Sequence, residues 1–196
     1  MQIKRIVVAT GNAHKLQEFA AIFDGVEVLS QKQCGFDEDV EETGETFAEN
    51  SLIKARAAAK ALNVTVIADD SGLCVNALDG APGVRSARYA GGHGDDAANR
   101  ALLLKNLQGV EDRTAWFESA IAMVFEDGRE IVVSGRTYGK ILPKEDGENG
   151  FGYDSLFYSD DLQKSFGQAS PQEKNAVSHR GRALASLKEK LAELDK

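Results

Sequence analysis

The stretch VTVIADDSGL, residues 64–73, limits the fold more than any other. Val64 to Ala68 is short, apolar and rich in β-branched residues, which marks a buried strand rather than a half-solvated one. Asp69 and Asp70 follow at once, and a charged pair directly after a buried strand needs water, a partner or a metal. The run is expected to end at Asp69-Asp70-Ser71-Gly72, with a second short run from Leu73 to Leu78. Two carboxylates at the C-terminal end of a central strand stand where open α/β sheets usually place their ligands.

The rest of the chain supplies elements to cover such a strand. Ile3 to Ala9 reads as a strand. Leu16, Phe19, Ala20 and Phe23 follow at helical spacing, and Gly25 stops that helix. Val26 to Leu29 is a short strand, and residues 35–46, acidic and aperiodic, are a loop. Thr46 and Glu49 form a capping box for an alanine-rich helix reaching Leu62. Residues 95–107 carry Leu103, Leu104 and Leu107 at helical spacing. Residues 115–126 and the stretch EIVVSGRTYG are two strands joined at a turn containing Gly128. A last helix is expected over Pro171 to Leu194, with the proline in its first turn. Intermixed strands and helices with a hairpin in the second half predict an α/β fold on a mixed sheet.

The 196 residues suit one domain, or two lobes sharing a core. A net charge of -8 argues against nucleic-acid or anionic-membrane partners, which require a basic face, yet leaves room for a small anion held by a local cluster of cations. No apolar stretch is long enough to span a bilayer. Two cysteines, Cys34 and Cys74, fit structural roles in a reducing, cytoplasmic compartment.

Four segments carry candidate chemistry. The first is ATGNAHK, Ala9 to Lys15, a strand–turn–helix connection. Free N–H groups and the helix dipole favour an anion there, with the Thr10 hydroxyl, Gly11 and Lys15 at hand. The spacing is not that of a Walker A loop, and a plain connection explains it as well. The second is the acidic set Glu41, Glu42, Asp69 and Asp70. Magnesium takes one or two carboxylates together with substrate phosphates, whereas a solvated loop and a turn cap would account for the same residues. The third is GFGYD, Gly150 to Asp154, whose glycines admit a flat ligand that Phe151 or Tyr153 could stack on; the alternative is an aromatic loop packed on the core. The fourth is EKNAVSHRGRA, a cation cluster that either reads a base edge or sits in solvent.

In order and spacing, TGNAHK, EETGETFAENSLIKA, ADDSGL, GAPGVRSARYAG, GFGYD and SHRG together resemble the inosine triphosphate pyrophosphatases, the Ham1-like or RdgB-like family of its bacterial type. The resemblance implies hydrolysis of dITP, ITP and XTP to the monophosphate and pyrophosphate with Mg²⁺. It implies an elongated two-lobed fold around a long mixed sheet, formed by residues 1–196 as a single domain with the active site in the cleft between the lobes, and a homodimer. By position it assigns Thr10, Gly11, Asn12, Ala13, His14 and Lys15 to the triphosphate, with Lys54 on the next helix. Asp70 is the implied catalytic aspartate and a metal ligand with Glu41, with Glu42 and Asp69 as further candidates. Ser71, Phe151, Gly152, Tyr153, Asp154, Lys174, His179 and Arg180 are the remaining implied nucleotide contacts. Ser155 departs from the family's proline, and Glu148-Asn149 from its Thr/Gly pair.

These roles are chemically coherent. Lys15 and Lys54 would neutralise a leaving pyrophosphate while Asp70 orients or deprotonates water. Hypoxanthine and xanthine carry an acceptor at position 6 where adenine carries a donor. A donor such as Arg180 or Lys174 would favour the first two and be left unpaired by the third. Guanine shares the 6-oxo group, so its exclusion falls near position 2, with the Asp154 loop as the candidate. A nucleotide-binding regulatory module without turnover would use the same turn and cations but would not need Asp70.

Overall fold

The computed structural model describes residues 5–194 apart from Asp24 and His93. The chain forms seven strands: β1 (Arg5–Val8), β2 (Glu27–Ser30), β3 (Val66–Val75), β4 (Thr114–Val124), β5 (Glu130–Ile141), β6 (Phe157–Ser159) and β7 (Lys164–Ser165). Five helices accompany them: α1 (Ala13–Ile22), α2 (Phe47–Leu62), α3 (Asp96–Asn106), α4 (Pro171–Val177) and α5 (His179–Leu194). The strands form one sheet in the order β2-β1-β3-β4-β5-β6-β7. β1 pairs in parallel with β2 and β3, whereas β5–β6 and β6–β7 are antiparallel, so the sheet is mixed, as expected. The expected first strand is seen from Arg5 onward; Ile3 and Lys4 lie outside the described residues.

Two expectations are corrected. The runs on either side of Asp69–Gly72 are one strand, β3, so Asp69 and Asp70 stand in its middle and not at its end. The charge did not have to stop the strand, because lysines within reach supply its counter-ions. The expected last helix is two helices. Ser178 between them has extended backbone (φ -67, ψ 156), and its N–H still closes α4 on the Lys174 carbonyl. Its Oγ then accepts the Gly181 N–H at 3.0 Å, serving the start of α5. A side chain at Gly181 would run into the Asn175 carbonyl, so the break is built around that glycine. Strands β6 and β7, of three and two residues, are too short to leave a periodic signal in sequence.

The chain divides into two compact units. The first comprises Met1–Asp70, Ser119–Gly135 and Ala183–Lys196. Its sheet is covered on both faces, as the apolar run of β3 required. Ile6, Val8, Ile67, Ile121 and Met123 face Phe19 and Phe23 of the α1 region and Leu184 and Leu187 of α5. The alternate residues Val7, Val66, Ala68, Ala122 and Val124 face Ala55, Ala58 and Ala59 of α2. Each wholly buried large side chain there, Phe19 for one, contributes about 2–3 kcal/mol. Ala20, expected on the buried face of α1, is exposed. The capping box at Thr46 and Glu49 is present and starts α2 where expected.

The second unit comprises Ser71–Glu118 and Arg136–Arg182. Its core gathers Leu73 and Val75 of β3 with Leu103 and Leu107, Ile141 and an aromatic cluster. Phe117 meets Phe157 with ring centroids 4.7 Å apart, and Phe157 meets Phe166 at 5.1 Å. Both cysteines are free, Cys74 buried and Cys34 half-buried. Among the described residues no helix is long and apolar enough to cross a membrane.

Candidate active site

In the first unit, the turn after β1 is shaped by its own side chains. Asn12 caps α1, its Oδ1 accepting the N–H groups of His14 at 2.9 Å and Lys15 at 3.2 Å. The Asn12 N–H in turn reaches Thr10 Oγ1 at 3.1 Å. Asn12 is therefore the residue that fixes the turn, a role its residue type signals at an N-cap. Gly11, Ala13 and His14 are exposed. Lys15 points inward, its Nζ 3.2 Å from Asp69 Oδ1, with the lysine side chain 15% exposed and the aspartate wholly buried.

A second lysine meets the next carboxylate. Lys54, one side of α2, lies 3.7 Å from Asp70 Oδ1 and 2.6 Å from Glu42 Oε1. Burial works against the Lys54 charge, but Asp70, Glu42 and Asp69 outweigh it and hold the ammonium more firmly protonated than usual. Burial raises the Asp70 pKa above the ordinary carboxylate value. Lys54 opposes that rise, and Glu42 adds to it. The pair is thus a desolvated carboxylate facing a secure cation. Ser119 of β4 reaches Asp69 Oδ2 at 3.4 Å. A serine inside an apolar strand pattern was the available signal for it.

The donor chemistry of this set fits Mg²⁺. Asp70 and Glu42 bring hard oxygens to a single ammonium, and a dication with phosphates can take such oxygens. Among the described residues no three His, Cys, Asp or Glu side chains form a cage, so the protein offers one or two carboxylates and no complete shell. Glu42 is the glutamate drawn toward Lys54, and Glu41 beside it is exposed. The loop between them and α2 is seated by Asn50, whose Oδ1 accepts the Gly44 N–H at 2.8 Å.

The second unit holds the GFGYD loop, Lys174, His179, Arg180 and Ser71. Asp154 is buried and its Oδ2 accepts the Phe151 N–H at 2.9 Å and Lys174 Nζ at 2.7 Å. Lys174 Nζ also lies 4.7 Å above the Phe151 ring. A side chain at Gly150 (φ 77) would collide with the Asp154 carboxylate, which explains the glycine. Tyr153 is buried in the core and donates its hydroxyl to the Ser86 carbonyl at 2.7 Å, while burial pushes its pKa well above the phenol value. Phe151, half-buried, is the ring of this loop left with exposed surface. His179 stacks on Phe117, centroids 4.9 Å apart and planes 15° from parallel. Arg180 is 1% exposed, and burial lowers its pKa to about 9, so it still carries charge at neutral pH. Its Nη2 donates to Ser71 Oγ at 3.1 Å. The helix break at Ser178 explains how Lys174, His179 and Arg180 are all buried, which one continuous helix would not have predicted.

The arrangement supplies two chemistries. One unit offers lysines and carboxylates suited to phosphates and a divalent cation. The other offers a flat ring, an amide-rich loop and buried donors suited to a heterocycle.

Comparison with known proteins agrees. The Ham1 family model matches residues 6–190. A dITP/XTP pyrophosphatase of Bacillus anthracis is 49% identical, the match covering 97% of this chain and 98% of that protein. One from Nocardia farcinica is also 49% identical, covering 99% and 98%. Among solved structures, the Staphylococcus aureus Ham1 protein superposes with a TM-score of 0.88 at 47% identity, covering 98% of this chain and 100% of that one. A nucleoside-triphosphatase/dITP/XTP pyrophosphatase from Mycobacterium abscessus gives 0.76 at 48% identity, covering 93% and 98%.

Proposed function

The chain belongs to the Ham1 family, and from that premise we propose that it hydrolyses non-standard purine nucleoside triphosphates, dITP, ITP and XTP, to the monophosphate and pyrophosphate. The observation that carries this reading is the pairing of two lysines with two adjacent strand carboxylates, Lys15 with Asp69 and Lys54 with Asp70. Such lysines can exchange carboxylate for phosphate oxygens when a triphosphate enters. Removing these nucleotides would keep them out of DNA and RNA.

Thr10, Asn12 and Lys15 hold the triphosphate, and Lys54 faces the leaving pyrophosphate. Mg²⁺, held by Asp70 with Glu42 or Glu41, would offset phosphate charge and polarise the phosphorus under attack. Asp70 orients the attacking water or takes up its proton; as a ligand it cannot also be a fully free base, so with the metal bound its part would be to position the water. The water oxygen bonds to the α-phosphorus, the bond to the bridging oxygen breaks, and pyrophosphate leaves with that electron pair. Arg180 and Lys174 present donors to the 6-oxo group of the base, and Phe151 stacks on its face. Adenine, with a donor at position 6, would set donor against donor there. The resemblance also implies a homodimer, which equilibrium sedimentation tests.

A product-resolved panel of common nucleotides with ITP, dITP and XTP, with and without Mg²⁺, tests the reading. Pyrophosphate from the three non-standard substrates is expected, and only in the presence of the metal. Orthophosphate released without pyrophosphate would contradict it.

A further inference from the structure

The glycine at the centre of GFGYD is held from both sides by one helix. Asp96 Oδ2, in the first turn of α3, accepts the Gly152 N–H at 2.8 Å. Arg100, one turn later on the same face, donates from Nη1 to the Gly152 carbonyl at 2.9 Å. Arg100 Nε also reaches Glu145 Oε1 at 2.9 Å, and Glu145 Oε2 accepts from Ser155 Oγ at 3.0 Å. We propose that Asp96, Arg100, Glu145 and Ser155 form a clamp that positions the Gly152 segment for base recognition.

Three observations carry this beyond ordinary loop support. First, Gly152 (φ 59) has no atom within 4 Å of where a Cβ would stand, so polar contacts, not packing, determine where its backbone lies on that side. Open space at a glycine is also where a planar ligand can approach. Second, the neighbouring residues are already tied by other means: Phe151 by Asp154, Tyr153 by Ser86, and Asn149 by Ala169. The clamp thus acts on one segment of a loop otherwise secured. Third, α3 is a firm base, because Leu103 is wholly buried and Asn99 bridges the Ala87 carbonyl and Ala90 N–H. Ser155 gains a purpose here. Its hydroxyl ties the loop to Glu145, and through Glu145 to Arg100.

The inference rests on the reading of this loop as the base-binding half. Its test is steady-state kinetics on ITP and GTP for Asp96→Ala, Arg100→Ala, Arg100→Lys and Ser155→Ala. Inhibition by inorganic tripolyphosphate probes the phosphate side, and thermal melting monitors the fold. Asp96→Ala and Arg100→Ala should raise KM for ITP about tenfold, keep kcat within about twofold and lower the ITP-to-GTP preference. Arg100→Lys should fall between wild type and alanine, and Ser155→Ala should shift KM about threefold. Tripolyphosphate inhibition should stay as in wild type. If an alanine variant does not fold, Arg100→Lys and Ser155→Ala carry the test. Unchanged KM and preference in the folded variants overturn the clamp alone. So does an equal loss of kcat and tripolyphosphate inhibition, the mark of general damage. Wild-type protein that makes no pyrophosphate from ITP overturns the functional reading and the clamp with it.

Discussion

The Lys15–Lys54–Asp69–Asp70 set and the GFGYD–Lys174–Arg180 set are both buried and charged, but they are held differently. In the first, side-chain ions face each other, lysine to carboxylate, across 2.6 to 3.7 Å. The second has one such pair, Lys174 with Asp154 at 2.7 Å, but its loop is also held by side chains bonded to backbone: Asp154 to the Phe151 N–H, Tyr153 to the Ser86 carbonyl, Arg100 to the Gly152 carbonyl. Exchangeable ion pairs suit a flexible polyanion, whose charge is the same whatever base it carries. A loop fixed through its backbone suits discrimination, because a donor moved by an ångström no longer separates two heterocycles.

Breaking the charged set at its centre should have the largest effect. Asp70→Asn retains the shape and removes the base, so kcat for ITP should fall about a thousandfold with melting unchanged. Near-normal turnover would place the base elsewhere. Arg180→Lys keeps a charge but loses the planar fork, and the ratio of kcat/KM for ITP over ATP should drop about tenfold to a hundredfold. A fall that is the same for both nucleotides would assign Arg180 to the phosphates and erase the contrast. Gly181→Ala forces a methyl group against the Asn175 carbonyl, and calorimetry should show a loss of about 2 kcal/mol together with weaker base selection. Retained selectivity in a destabilised protein would detach the helix break from recognition. The smallest effect concerns the thiols, one in each unit. Burial pushes the Cys74 pKa to about 11. At pH 8 about one molecule in a thousand is then a thiolate, so iodoacetamide should modify the half-buried Cys34 first, as peptide mass spectrometry will show.

The proposed phosphate side was largely legible in the sequence, because its signals are local. Strand, turn, cap and lysine follow one another within ATGNAHK, and the alanine-rich helix bearing Lys54 starts at a recognisable capping box. What misled was Asp69-Asp70. A charged pair looks like the end of a strand, and only the distant Lys15 and Lys54 let it lie in the middle of one. The proposed base side was less legible because its logic is non-local. Asp96 and Arg100 lie more than fifty residues from Gly152, and nothing in their own surroundings marks them as part of that loop. Ser178, an ordinary polar residue in a helical pattern, closes one helix with its N–H and serves the start of the next with its hydroxyl. The family resemblance supplied the grouping of these segments, while the structure supplied what each side chain touches.

Substituting Lys15 tests the division most directly. Lys15→Ala should be assayed on ITP, XTP and ATP, and each kcat/KM divided by its wild-type value. A cation that holds phosphates and ignores the base predicts the same fall for all three, about a hundredfold. A fall that depends on the base would contradict the separation of phosphate holding from base reading.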